Sequence, residues 1–311
     1  MALRFLLEGW QGAGAVAASA VALSLALAGP ASAKTTLKIG VSQNLQVLDP
    51  SYGGGDVTGD LGFAAYDNLF SYDDQGVPHP QMVDSHTKSD DGLVWTFKLR
   101  PELKFHDGRA VNSKDVVASL KRWIARSVNG RALGSHLDTM ETPDDQTFVI
   151  KLKTPYSMII DGFATMAGNP LFIMPEELAS IDPAKMAEKV DGSGPFKFDL
   201  SRFVPGNSWV FVKNDAYVPR KEPPNGAAGG RLAKVDEIQY LYFSDPATMV
   251  NALTAGEVDM INGIPYELLP LLESNSDIKM ETVAPLGDQI MLRPNFLYPP
   301  FNNEKMRQAL L

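Results

Sequence analysis

The sequence predicts a mixed α/β protein with more than one lobe. Short segments of alternating apolar residues, which read as strands, are interleaved with longer segments whose apolar residues recur at helical spacing. About 280 residues follow an apolar leader in the 311-residue chain, enough for about two domains. A crossing rich in glycine and proline, Asp191-Gly192-Ser193-Gly194-Pro195, marks a boundary between lobes, where backbone freedom and close approach are both wanted.

The first 33 residues read as a leader outside the fold. Arg4 supplies a positive start, an apolar run extends from about Ala13 to Ala28, Gly29-Pro30 breaks it, and Ala31-Ser32-Ala33 is a small-residue cleavage site. That is the pattern of a secretory signal peptide, with a run too short for a membrane span.

Thr36–Val41 alternates with Leu37, Ile39 and Val41 on one face and reads as a strand. Leu48-Asp49-Pro50 closes it, and Tyr52-Gly53-Gly54-Gly55-Asp56 follows as a loop. Thr58–Leu69 suits a helix. Asp73-Asp74-Gln75-Gly76, Pro78 and Pro80 mark turns. Trp95–Leu99 is a strand with Trp95, Phe97 and Leu99 on one face, and His106-Asp107-Gly108 turns the chain. Asn112 caps a helix that runs through Arg126, with Asp115 in its first turn. Val116, Val117, Leu120, Trp123 and Ile124 share its apolar face. Arg131 to His136 (RALGSH) reads as a loop after it.

Thr147–Lys153 is the next strand, with Phe148, Ile150 and Leu152 on one face. Trp209–Lys213 and Ile238–Phe243 are strands too. Between them lie loops, of which 223–230 reads as a mobile excursion. Asp245-Pro246 starts a helix with proline at a tolerated first-turn position and with Val250 and Leu253 facing inward. Gly256 ends it, and Val258–Ile261 is a strand, completing a strand–helix–strand unit.

Composition narrows the function classes. The net charge of −9, without a basic block, argues against nucleic-acid binding and suits a freely diffusing monomer that does not itself span a membrane. The absence of cysteine removes disulfides and a lipid anchor at the cleavage site, so stability must come from the core. His79, His86, His106 and His136 have no close metal-ligand spacing, so neither a metal site nor a cofactor is expected. Asp73-Asp74, Asp90-Asp91 and Asp144-Asp145 sit at turns, where solvated carboxylates are the rule. No nucleophile elbow, P-loop or HExxH motif occurs, and no enzyme activity is expected.

An ordered set of short motifs adds a resemblance. The string from Tyr66 to Gly108, Leu48-Asp49-Pro50, Asp144-Asp145-Gln146-Thr147-Phe148 and Gly192-Ser193-Gly194-Pro195-Phe196 stand in one order. Lys213-Asn214 to Tyr217, Gly256-Glu257-Val258-Asp259, and Pro300-Phe301-Asn302-Asn303 to Arg307-Gln308-Ala309 continue it. Together they resemble the extracytoplasmic solute-binding proteins of family 5, the peptide- and nickel-binding components of ABC transporters. The resemblance implies a periplasmic-binding-protein-like (class II) multi-lobe fold whose C-terminal lobe is missing.

It further implies a signal peptide at 1–33, lobe I at 34–76 and 191–285, lobe II at 77–190, and the start of a truncated lobe III at 286–311. The implied role is capture of a peptide-like or other small polar solute in an inter-lobe cleft in the periplasm, with delivery to inner-membrane ABC permease subunits. Tyr52, Gly53, Gly54 and Asp56 in the glycine loop, Ser135 and His136 in the RALGSH segment, and Asn169 are the implied ligand contacts. Gly192 and Gly194 are the implied hinge. A secreted α/β hydrolase and a truncated, non-transporting remnant are the alternatives.

Overall fold

The computed structural model describes residues 34–53, 55–282 and 292–310; the signal-peptide segment and Gly54 lie outside them. The chain divides into two compact units, up to Ile264 and from Pro265 onward.

The first unit contains two larger sheets. Strand β1 (Thr36–Val41) is followed by helix α1 (Asp56–Ala65), the small antiparallel pair β2 (Phe70–Tyr72) and β3 (Pro78–Pro80), and strands β4 (Val83–Lys88) and β5 (Val94–Leu99). Helices α2 (Ser113–Arg126) and α3 (Val128–His136) come next, then β6 (Leu137–Glu141), β7 (Thr147–Leu152) and the short helices α4 (Ile159–Ala164) and α5 (Glu176–Ala179). The unit ends with β8 (Phe196–Phe198), β9 (Ser208–Lys213), β10 (Glu237–Tyr242), helix α6 (Pro246–Thr254) and β11 (Met260–Ile261).

One sheet has the order β11-β1-β10-β9-β8, and β1 lies parallel to both of its neighbours. Its core gathers Val41, Leu61, Tyr66, Phe172, Trp209 and Phe211. The other sheet is antiparallel in the order β4-β5-β7-β6. Register there sets Phe97 opposite Phe148 and Trp95 opposite Ile150, the faces that alternation predicts. That core adds Leu120, Trp123 and Phe163.

Helix α2 starts where the sequence places it. Asn112 accepts from the backbone N–H groups of Lys114 and Asp115, while the Asp115 carboxylate accepts from Asn112 N–H, a reciprocal capping box. Helix α1 starts and ends earlier than the expected Thr58–Leu69, because the chain leaves helical geometry at Tyr66 and buries Leu69 and Phe70 in the second core. The strand expected at Val258–Ile261 shortens to two residues.

Two local expectations are corrected. Residues 131–136 form the C-terminal part of α3, not a loop. Gly130 permits this: a Cβ there would lie 2.3 Å from the Trp123 carbonyl oxygen, so only glycine lets α3 fold back closely on α2. Residues 223–230 are anchored, not a free excursion. Ala227 N–H donates to Tyr72 O at 2.9 Å, Gly230 N–H to Glu222 O at 2.8 Å, and Ala228 is buried.

The second unit holds a short 3-10 turn (Tyr266–Leu268) and helices α7 (Leu269–Glu273) and α8 (Glu304–Gln308), the latter capped by Asn303. Met306 and Leu310, the expected apolar face of the last helix, are exposed.

Candidate functional site

In open sheets with parallel strands, ligands bind outside the carboxyl ends of those strands. Here that edge is formed by the residues after β1, β10 and β11. Gly40 in β1 lets the strands and α6 close together, since a Cβ there would sit 2.9 Å from Ile261 Cγ2 and 3.2 Å from Met249 Cγ. Ser42 and Gln43, directly after β1, are exposed. Gln43 Nε2 donates to Asp56 Oδ2 at 3.0 Å, which ties the edge of β1 to the first turn of α1. Asp60, one turn further along α1, has its carboxyl pushed above the usual range by burial and then by the Asp56 charge.

The loop between β1 and α1 is held from below by helix α2. Arg122 Nη2 meets Asp49 Oδ2 at 2.6 Å and its Nε donates to Ser51 Oγ at 2.6 Å. The same guanidinium donates to the carbonyls of Ile181 and Lys185. Asp49 also accepts from the N–H groups of Ser51 and Ala187. One turn on, Arg126 Nη2 donates to the Tyr52 carbonyl at 2.9 Å, and the guanidinium carbon lies 4.3 Å from the Tyr52 ring centroid. The turn is thus clamped at Asp49, Ser51 and Tyr52 by two arginines on one helix face.

The structure brings some of the expected contacts together and separates others. Tyr52 and Gly53 are half-buried in the clamped turn, and Asp56 is exposed at the start of α1. Asn169 joins the same helix from another side, its carbonyl accepting from Trp123 Nε1 at 3.0 Å. Nearby, Asn129 Nδ2 donates to Thr165 Oγ1 at 3.2 Å. Ser135 and His136 lie at the far end of α3, about 12 Å along its axis from its start. Ser135 Oγ donates to Ala132 O at 2.7 Å, and His136 pairs with Thr154 Oγ1 at 2.7 Å while stacking on Tyr156.

Gly192 and Gly194 are buried at a crossing. A Cβ on Gly192 would lie 1.9 Å from Ala65 O, and one on Gly194 would lie 2.8 Å from Ala64 O. Gly194 N–H donates to Ala65 O at 2.9 Å. His106 locks the crossing from the other lobe's side: its N–H donates to Gly192 O at 2.8 Å and its Nε2 meets Gly194 O at 3.1 Å. Burial pushes the His106 imidazole down to about 4, so the ring is neutral and Nε2–H is the donor.

Two concavities lie elsewhere, on the 220–234 loop. One of about 250 Å³ is lined by His79, Arg220, Glu222 and Asn225. The other, about 290 Å³, is lined by Phe63, Met166, Arg231, Leu232 and Lys234. Among the described residues, no group of three or more His, Asp or Glu side chains could hold a metal ion, and no helix is long and apolar enough to cross a membrane.

Comparison with known proteins places this architecture. Residues 77–311 match the family model described as bacterial extracellular solute-binding proteins, family 5 Middle. The chain belongs to that family. This family 5 member is 42% identical over 271 residues to the probable peptide ABC transporter periplasmic-binding protein y4tO of Sinorhizobium fredii, covering 86% of the chain and 50% of the relative. It is 30% identical over 302 residues to the glutathione-binding protein GsiB of Escherichia coli, covering 93% and 54%. Among solved structures, the periplasmic binding protein AgaA of A. tumefaciens in complex with agropinic acid superposes with a TM-score of 0.65 at 30% identity, over 78% of this chain and 46% of that one. The fold is therefore of the periplasmic-binding-protein type, and the chain spans about half the length of the curated relatives it matches.

Sequence reasoning missed Gln43, Arg122 and Arg126. The two arginines stand four apart on a helix whose apolar face was legible, which is a usable signal. Their partner Asp49 lies 73 positions away from Arg122 in the chain, and no local pattern links them.

Proposed function

We propose that this chain is the solute-capturing component of an ABC importer. It works in the periplasm, takes a peptide-like or other small polar solute without covalent chemistry, and hands it to inner-membrane permease subunits. The observation that carries this reading is the polar, exposed edge at the carboxyl ends of β1, β10 and β11. Its loop is clamped in place by Arg122 and Arg126 within a fold belonging to a solute-binding family. A rigid rim suits binding, because preorganised groups lose less freedom when they meet a ligand. The printed functions of the relatives, peptide and glutathione binding, point to the same solute class.

On this reading the five-stranded sheet belongs to lobe I (34–76 and 191–285) and the four-stranded sheet to lobe II (77–190), with 286–311 beginning a third. Tyr52, Gly53, Gly54, Asp56 and Asn169 line the solute side, Ser135 and His136 lie more peripherally, and the segments around Gly192 and Gly194 connect the lobes.

The test is a thermal-shift and calorimetric screen against di- to tetrapeptides, glutathione and opines, with mass spectrometry of the incubated solutes. The expected result is a saturable shift with chemically unchanged solute. Cleaved solute would support a hydrolase instead, and no shift with any member would sink the proposal.

A further inference from the structure

We propose that Arg126 and Arg131 form the recognition site for an anionic group, a carboxylate, on the solute. Within the first unit, every described arginine from Arg100 to Arg231 is ion-paired to a carboxylate except these two. Arg100 pairs with Glu102, Arg109 with Asp107 and Glu177, and Arg122 with Asp49. Arg202, Arg220 and Arg231 pair with Glu237, Glu222 and Asp67. In a chain with a net charge of −9, carboxylates are plentiful, so two neighbouring arginines left without one form an exception. They are adjacent in space: Arg131 Nη1 donates to the Arg126 carbonyl at 3.1 Å.

Arg126 is fixed by stacking on Tyr52 and by its Nη2 bond to the Tyr52 carbonyl, while its buried Nε–H has no acceptor. A planar guanidinium with its position set and donors to spare is the group that takes a carboxylate by a forked pair of hydrogen bonds. The carboxylate of Asp56 lies four residues beyond Tyr52, within about 14 Å along the chain, so the same rim offers a partner for an amino group. A zwitterionic or acidic solute fits this arrangement better than a neutral sugar.

The inference rests on the solute-binding reading, and the test separates the two. Carboxylate-bearing probes (tripeptides, glutathione, N-substituted amino acids) are compared with their amides or esters by calorimetry, on the full chain and on Arg126→Gln and Arg131→Gln. The expected result is acid binding that exceeds amide binding and weakens with salt. Arg126→Gln should raise the acid Kd about ten- to hundred-fold toward the amide value while leaving amide binding unchanged. Arg131→Gln should act in the same direction by a smaller factor. If the acid and amide bind equally to the parent chain, the inference fails while solute binding stands. If Arg126→Gln lowers both by the same factor, Arg126 only holds the Tyr52 turn and the inference also fails. A chain that binds no probe removes both readings.

Discussion

Removing one half of the Asp49–Arg122 pair tests how the first loop is held. The side chains are 0% and 1% exposed and meet at 2.6 Å. Asp49→Ala leaves the buried Arg122 charge with only the Ser51 hydroxyl and the carbonyls of Ile181 and Lys185. It also strips an acceptor from the N–H groups of Ser51 and Ala187. Breaking a buried pair from one side costs about 3–5 kcal/mol, and two orphaned buried donors at about 1–3 kcal/mol each fall in the same range. For a unit of this size, each kcal/mol lowers the midpoint by about 2–4 °C, so a drop of about 6–20 °C is expected. Urea unfolding and thermal melts of Asp49→Ala, Arg122→Met and the Asp49→Leu/Arg122→Met double variant supply the cycle. The double variant should recover part of the loss, because no uncompensated charge remains. Recovery stays incomplete because the carbonyls and N–H groups still lack partners. Single losses below about 1 kcal/mol, or a coupling energy near zero, would refute the argument.

Other predictions follow from separate contacts. The folded-state pKa of His106, about 4, lies below its ordinary 6.5, so the unfolded chain takes up the proton first. Stability should therefore fall as pH drops from about 6.5 to about 4, by up to roughly 3 kcal/mol; His106→Gln should flatten this part of a urea-midpoint profile, and an unchanged profile would count against it. Gly192→Ala, with its Cβ 1.9 Å from Ala65 O, should cost about 3 kcal/mol or more. Gly168→Ala meets open space at φ +74° and should cost only about 1–2 kcal/mol; equal losses in denaturant titrations would contradict the close-approach argument. Asn112→Ala removes the capping box of α2 and should cost about 1 kcal/mol by the same measurement; no loss would mean that the cap is redundant with packing.

Much of the fold was legible because it is written in local periodicity. The Trp95, Phe97 and Leu99 face, the Asn112 start of α2 and the Asp245-Pro246 start of α6 each depend on residues a few positions apart. The candidate site was half legible. The turn at Tyr52 and Gly53 stood out by its glycines, and Asn169 was found by family likeness. Reading 131–136 as a loop failed because Gly130 looks like a helix breaker unless the Trp123 carbonyl beside it is known. The 223–230 segment looked free because its anchors, Tyr72 and Asp74, lie some 150 residues away.

The sequence by itself determined the strand faces, the helix caps, the family and the glycine-rich turns, since alternation, capping and turn chemistry act within a few residues. Only the tertiary structure decided which charges meet. It gave Arg122 to Asp49 and Arg126 to the Tyr52 turn, left Arg131 beside it without a carboxylate, and set Gly192 against Ala65. Such partners are selected by burial: a charge removed from water must find its counterpart wherever the packed chain places one, and that place is fixed by the two cores, not by neighbours in sequence.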